Sequence, residues 1–260
     1  MISKLAGTVH GFIRSESKPD WLRMRAEWVL FQVKLRREER LNRAFDRRFG
    51  TDTASEVALK DAGVLSGGDP YGVYRPFWES IFHSAMGLLP IDFPQFTFVD
   101  VGSGKGKILM LAAQYPFKAV EGVEYGAVLH DAAERNIAIF RKATGTRVPI
   151  KPILGDAMAY DLPAGPAVCI IFNAFDEMTN TIVLRRIASQ AGEGERPVFV
   201  IYANLRSVVE RAIGRGGGCP PGLRVLYLAR KLVVLGNGQA EALWRQRKPG
   251  VWARLTGRAA

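Results

Sequence analysis

Three glycines at alternate positions, Gly102, Gly104 and Gly106, follow the acid Asp100 at the end of an apolar run. Ser103 and Lys105 fill the gaps, and helix-forming residues resume at Lys107. Residues without a Cβ let a chain turn sharply and let a ligand approach the main chain. The free N–H groups of the helix that starts there favour a carboxylate or phosphate. The spacing sorts the ligand classes. Dinucleotide loops use G-x-G-x-x-G, with the third glycine one residue later than here. A Walker A loop needs a glycine five positions before Gly106 and Ser or Thr after Lys107. The sequence has Val101 and Ile108 at those places. A nucleoside site also needs an acid at the end of the next strand, where two carboxylate oxygens can accept from two ribose hydroxyls. Glu124, eighteen residues after Gly106, stands there. Glu121 points to the other side of the same strand.

The form acid-x-G-x-G-x-G resembles the signature of the class I S-adenosylmethionine-dependent methyltransferases. The resemblance implies S-adenosyl-L-methionine as cofactor, held by Asp100, Gly102, Ser103, Gly104, Gly106 and Glu124. It further implies that Asp156 and Ala157, after the third strand, meet the adenine. Asn173, after the fourth strand, belongs to the cofactor site and also to the catalytic set. Its side chain would orient an amine, and Phe175 would wall the sulfonium, whose positive charge favours an aromatic face. The segment Tyr71-Gly-Val-Tyr74-Arg-Pro76 with the late Asn173-Ala-Phe175 is similar to the non-SET protein-lysine methyltransferases, over roughly Tyr71 to Ala203. That likeness adds Tyr74 to the catalytic residues and implies a protein lysine as acceptor. The sequence departs from the group in one respect, because Phe172 precedes Asn173 where a second Asn is expected.

The elements that must position these residues are legible in outline. Lys18 to Phe49 reads as one helix, with Pro19 in its first turn and no further Gly or Pro before Gly50. Trp21, Met24, Trp28, Phe31 and Leu35 recur on one face, Glu38 breaks the stripe, and Leu41 and Phe45 resume it. The expected role is packing on the core with a charged outer face; a membrane-surface or RNA-binding helix is the alternative. Gly50 to Pro70 reads as a joint, and a helix follows over about Pro76 to Leu89. Strands are expected at Phe96–Val101, Ala119–Glu124, Val148–Leu154, Ala167–Phe172 and Val198–Ala203. Helices are expected at Lys107–Gln114, Ala127–Lys142, Met178–Gln190 and Ser207–Ile213. This alternation implies parallel strands with helices on both faces. Leu223–Ala229 and Leu232–Leu235 have only Arg230-Lys231 between them, too few for a crossover, so they form an antiparallel hairpin or one interrupted strand. The expected fold is a Rossmann-like, doubly wound α/β domain with a mostly parallel seven-stranded sheet and an N-terminal helical extension. The domains read as 1–70 for the extension, 71–240 for the methyltransferase domain and 241–260 for a basic tail.

Composition narrows the setting. The 260-residue chain carries a formal charge of +11. From Ile201 onward eleven Lys and Arg stand against Glu210 and Glu241, so the C-terminal region holds most of the excess. It is either a solvated end or a contact for an anionic partner. No apolar run reaches the roughly 18–20 residues that cross a bilayer, and no signal peptide is read. Cys169 and Cys219 suggest no disulfide framework, which places the chain in a reducing, cytoplasmic compartment. His10, His83 and His130 are scattered, and no metal site is expected. Lys105 and Lys107 sit where a helix start disfavours cations. A bound carboxylate or plain solvent exposure would account for them. The methyl acceptor stays open among protein, small molecule and RNA. Two rival readings are a non-catalytic RNA- or membrane-associated protein with a relict nucleotide pocket, and an NAD-dependent oxidoreductase.

Overall fold

A computed structural model describes residues 18–63, 72–172, 174–192, 196–203, 219–229 and 232–246. Seven strands form one sheet in the order β3-β2-β1-β4-β5-β7-β6. They are β1 Thr97–Val101, β2 Ala119–Glu124, β3 Ile150–Leu154, β4 Ala167–Phe172, β5 Val198–Ala203, β6 Arg224–Ala229 and β7 Leu232–Gly236. The first five in space, β3 to β5, run parallel, and β7 lies antiparallel to both β5 and β6. The last two runs are thus a hairpin, as two residues between them require. This is the Rossmann-like, doubly wound sheet expected from the alternation. The helices are α1 Lys18–Phe49, α2 Glu79–Leu88, α3 Lys107–Ala112, α4 Ala127–Thr144, α5 Glu177–Gly192 and α6 Gly238–Arg245.

Strand periodicity divides the core. Phe98, Ile170 and Phe199 point into one apolar layer with Phe82, Leu109 and Phe140. Their neighbours Val99, Ile171 and Val200 point into the other with Val183 and Ile187. Continuous apolar runs are what a sheet covered on both faces demands. The order reverses between β1 and β4, and the carboxyl ends of the parallel strands open there into a crevice, where open α/β sheets hold ligands.

Two local findings differ from the sequence reading. Helix α2 starts at Glu79, three residues after Pro76. Helix α6 was not foreseen; Asn237 caps it by accepting from the Ala240 N–H at 3.0 Å, and the same side chain ties β5 through the Val198 N–H. The helix expected at Ser207–Ile213 lies outside the described residues.

The C-terminal part of α1 belongs to the core. Phe45 and Phe49 are buried, and Phe49 meets Phe140 of α4 edge-on with ring centroids 4.9 Å apart. Glu38, which seemed to interrupt the apolar stripe, is itself buried and accepts from the Ser80 hydroxyl at 2.5 Å. Trp28 on the same stripe is 62% exposed. Among the described side chains full burial therefore begins at Glu38, more than five turns into the helix, and Trp28 before it is not covered as the sequence suggested. After Phe49 the chain turns at Gly50 (φ 78°), and Asp46 collects the Thr51 and Thr53 hydroxyls and the Thr53 and Ala54 N–H groups.

Candidate active site

The glycine loop joins β1 to α3 at the crevice. Gly102, Gly104 and Gly106 all adopt positive φ, at 88°, 51° and 78°. The turn is as sharp as three missing Cβ atoms allow. What comes close to them, however, is protein. A Cβ on Gly102 would stand 2.3 Å from the Ala174 Cβ, and one on Gly104 would stand 2.4 Å from Cε2 of Tyr74. The glycines thus let the Tyr74 ring and the loop after β4 settle on the main chain and shape a cavity beside it.

Glu124 closes the other side. Its Oε2 accepts from the Gly104 N–H and its Oε1 from the Gly126 N–H, both at 2.8 Å. The loop is also held to β2 where the Gly102 and Ser103 N–H groups donate to the Val123 carbonyl. Burial raises the Glu124 pKa, although these two N–H bonds and His130 pull the other way. Glu121 lies across the strand, as foreseen, and accepts from the Tyr160 hydroxyl at 2.6 Å.

Asp100 is different. It is 1% exposed, and neither carboxylate oxygen has a hydrogen-bond partner among the described residues. Burial, then the nearby Glu124 charge, pushes its pKa well above the ordinary carboxylate range. Its charge is also felt by Tyr74, whose pKa burial raises. The Ser103 hydroxyl, three residues on, is likewise buried and has no partner among the described residues.

These groups surround a cavity of about 340 Å³, lined by Gly102, Ser103, Gly104, Glu124, Asp156 and Ala157 on one side. Tyr74, Phe77, Phe172, Ala174 and Phe175 line the other side. Its size falls within the roughly 300–1,000 Å³ of small-molecule sites. The Asp156 carboxylate is fixed by the Met158 N–H at 2.8 Å. Phe77 and Phe172 meet edge-on at 4.5 Å, and Phe175 is anchored where its carbonyl accepts from the Asn180 side chain. Asn173 lies outside the described residues. The other residues singled out from the sequence border this cavity, apart from Asp100 and Gly106.

The sequence reading missed the outer support of the loop. Lys105 and Lys107 are buried, not solvated. The Lys105 ammonium reaches the Ser55 carbonyl at 2.9 Å, the Ser55 hydroxyl and Asp52, and it stands 5.7 Å from the centre of the Tyr74 ring. Burial opposes ionisation of Asp52, but the Ser55 hydroxyl and Lys105 lower its pKa overall. Lys107 bonds the Asn42 side chain of α1 and lies 3.9 Å from Glu79; burial drops its pKa to about 8 despite Glu79, Asp46 and Glu38. Asn136 of α4 joins the two layers: its Nδ2 donates to the Asp52 and Lys105 carbonyls, and its Oδ1 accepts from the Asp52 N–H. The one sequence signal for it is a polar residue within the buried stripe Ala133, Asn136, Ile137, Phe140. His130, Asp131 and Glu134 can bring three ligand atoms within 4.8 Å, a grouping the sequence reading passed over; both acids are exposed.

No protein-family model matches the sequence, and no curated protein does. Among solved structures, the pyocyanin biosynthetic protein PhzM is 18% identical over 60% of this chain and 54% of its own, with a TM-score of 0.44. An O-methyltransferase from neocarzinostatin biosynthesis is 20% identical over 61% of this chain and 55% of its own, with a TM-score of 0.40. A SAM-dependent methyltransferase from Leishmania major is 13% identical over 60% and 70%, with a TM-score of 0.43. The chain spans about half the length of the first two.

Proposed function

We propose that the chain is an S-adenosylmethionine-dependent methyltransferase acting on an N or O acceptor. The observation that carries the reading is Asp100, a buried carboxylate with no partner among the described residues, two positions before the cavity-lining Gly102. A buried acid in that state must hold a proton or meet a cation. The ammonium of a methionine moiety is such a cation, and the buried Ser103 hydroxyl offers a second contact. Glu124 keeps lone pairs for the two ribose hydroxyls after its backbone bonds are made. Asp156 and the Ala157 N–H serve the adenine edge.

When bound, the cofactor supplies a methyl group on a positive sulfur, which needs no acid to leave. The chain's own work is alignment and exclusion of water. Tyr74 covers the glycine loop, and Phe175, Phe77 and Phe172 give the cavity an aromatic wall suited to a cationic centre. The positive sulfur itself disfavours a second cation beside it, so an incoming amine gives up its proton to solvent before reaction. Among acceptors, a protein lysine is the reading favoured by the pattern of Tyr74 and Asn173-Ala174-Phe175.

Calorimetric titration with S-adenosylhomocysteine tests the assignment. The wild-type chain binds it, and Gly104→Arg, whose Cβ already meets Tyr74, abolishes binding. Absence of binding to the wild type would sink the proposal. Incubation with radiolabelled S-adenosylmethionine and fractionated extract then separates protein, RNA and small-molecule acceptors, and label on lysine supports the finer reading.

A further inference from the structure

The N-terminal half of α1 presents a surface that the pocket does not explain. At about 100° per residue, Val29, Leu30 and Val33 fall on the half of the helix opposite Glu38, Asn42 and Phe49, which face the core. They are 45%, 67% and 61% exposed. Further along, the same outward half carries Arg36, Arg37, Arg40 and Arg47, all exposed. One face therefore carries an apolar patch with exposed arginines on both sides, Arg25 before it and these four after it. The apolar part lies beyond the point where α1 leaves the core, Trp28 being about 15 Å along the axis from Glu38.

We infer that this face docks the protein on an anionic lipid surface. An apolar patch flanked by arginines matches a leaflet, in which acyl chains lie beneath a plane of anionic phosphates. Val29, Leu30 and Val33 reach the acyl boundary, some 5–10 Å below the headgroups, while the arginines stay level with the phosphates. The helix does not span: among the described residues no helix is long and apolar enough to cross a membrane. A second copy of the chain fits the face less well. Its apolar part covers little more than one helical turn, far less than the roughly 800 Å² per partner of a stable dimer. RNA would use the arginines but leave Val29, Leu30 and Val33 without a role, since single strands are gripped by stacking on aromatic side chains.

The inference is independent of what the cavity binds, and sedimentation of the full chain with vesicles tests it. Vesicles of phosphatidylcholine with about a third phosphatidylglycerol bring the chain down, pure phosphatidylcholine vesicles retain about tenfold less, and salt releases it. Two double variants, Leu30→Glu with Val33→Glu and Arg36→Glu with Arg40→Glu, each reduce binding about tenfold or more. All four positions are exposed or outward-facing, so melting temperature and circular dichroism stay at wild-type values, and Trp fluorescence shifts blue on vesicles only in the wild type. The inference is overturned if anionic vesicles do not bring the chain down, or if either double variant binds them as the wild type does. It is equally overturned if, without vesicle binding, the chain forms a dimer that Leu30→Glu with Val33→Glu dissolves, or retains RNA that this variant still binds.

Discussion

The glycine loop has two sides, and their polar groups are met in opposite ways. On the outer side Lys105, Asn136 and Asp52 form a closed network in which each group has partners. On the inner side Asp100 and Ser103 are as buried as Lys105 and Asn136, and their side chains have no partner among the described residues. A protein that can satisfy the polar groups behind a loop and leaves those in front of it bare is arranged for something that arrives from outside. The same contrast divides the two acids. Glu124 accepts a backbone N–H on each oxygen and so fixes the loop, while the Asp100 carboxylate bonds nothing among the described residues. One carboxylate builds the cradle, and the other waits for its contents.

Replacing each acid by its amide breaks this comparison cleanly, and the largest effect is expected at Asp100. Asp100→Asn removes the counter-charge for an ammonium and weakens S-adenosylhomocysteine binding roughly 100-fold, the worth of a charge-assisted hydrogen bond of about 3 kcal/mol. The ligand-free variant nonetheless melts higher at neutral pH, because it no longer buries an unpaired acid, at a cost of roughly 1–3 kcal/mol. The sign follows from the raised pKa. Below the ordinary value of 3.8 the carboxyl is protonated in both folded and unfolded chains, and the two proteins melt alike. As pH rises the unfolded carboxyl ionises first, wild-type stability falls relative to the variant, and the gap widens until the folded carboxyl ionises too. Thermal melts from pH 3 to 8 (roughly the range where a shifted carboxyl titrates) read this directly. A gap that does not depend on pH, or an unchanged affinity, means Asp100 has another partner. Glu124→Gln has the opposite sign in the free protein. An amide cannot accept from both the Gly104 and Gly126 N–H groups, so one is left bare at roughly 1–3 kcal/mol and the melting point drops. Binding weakens about tenfold, less than for Asp100, because the ribose still meets one acceptor. If both amides shift stability in the same direction, the division of labour between the two acids is wrong.

The inner side was the part the sequence disclosed. Glycine spacing, the preceding acid and the acid eighteen residues later lie within short stretches whose local geometry follows from residue type, and the structure brings Gly104 and Glu124 into contact. The strands were equally legible, because a sheet covered on both faces writes itself as unbroken apolar runs such as Ala167–Phe172. The outer side was illegible for a physical reason. Its bonds join residues 31 to 84 positions apart, and no pattern within a window of residues says that Lys105 will point back at Ser55 or Asn136 at Asp52. Buried lysines are rare enough that Lys105 and Lys107 were expected beside a bound carboxylate or in solvent, not inside the protein. Glu38 misled for the same reason, since its Ser80 partner stands 42 residues away.

The smallest effect on binding, and the sharpest test of the outer side, belongs to Asn136. Its amide makes three hydrogen bonds that join α4, the segment after α1 and the glycine loop, and the side chain is 3% exposed. Asn136→Ala leaves the Asp52 N–H and two carbonyls without these partners and opens a small void, costing roughly 2–4 kcal/mol of stability. Asn136→Asp keeps the acceptor but turns the donor toward the Asp52 and Lys105 carbonyls into a repelling oxygen, so it costs at least as much. If the network only supports the loop, S-adenosylhomocysteine affinity measured well below the melting temperature falls no more than a few-fold in either variant, as the inner side keeps its own bonds through Val123 and Glu124. A loss as large as that of Asp100→Asn would mean that the two sides are not separable, and that the segment after α1 is part of the binding machinery itself.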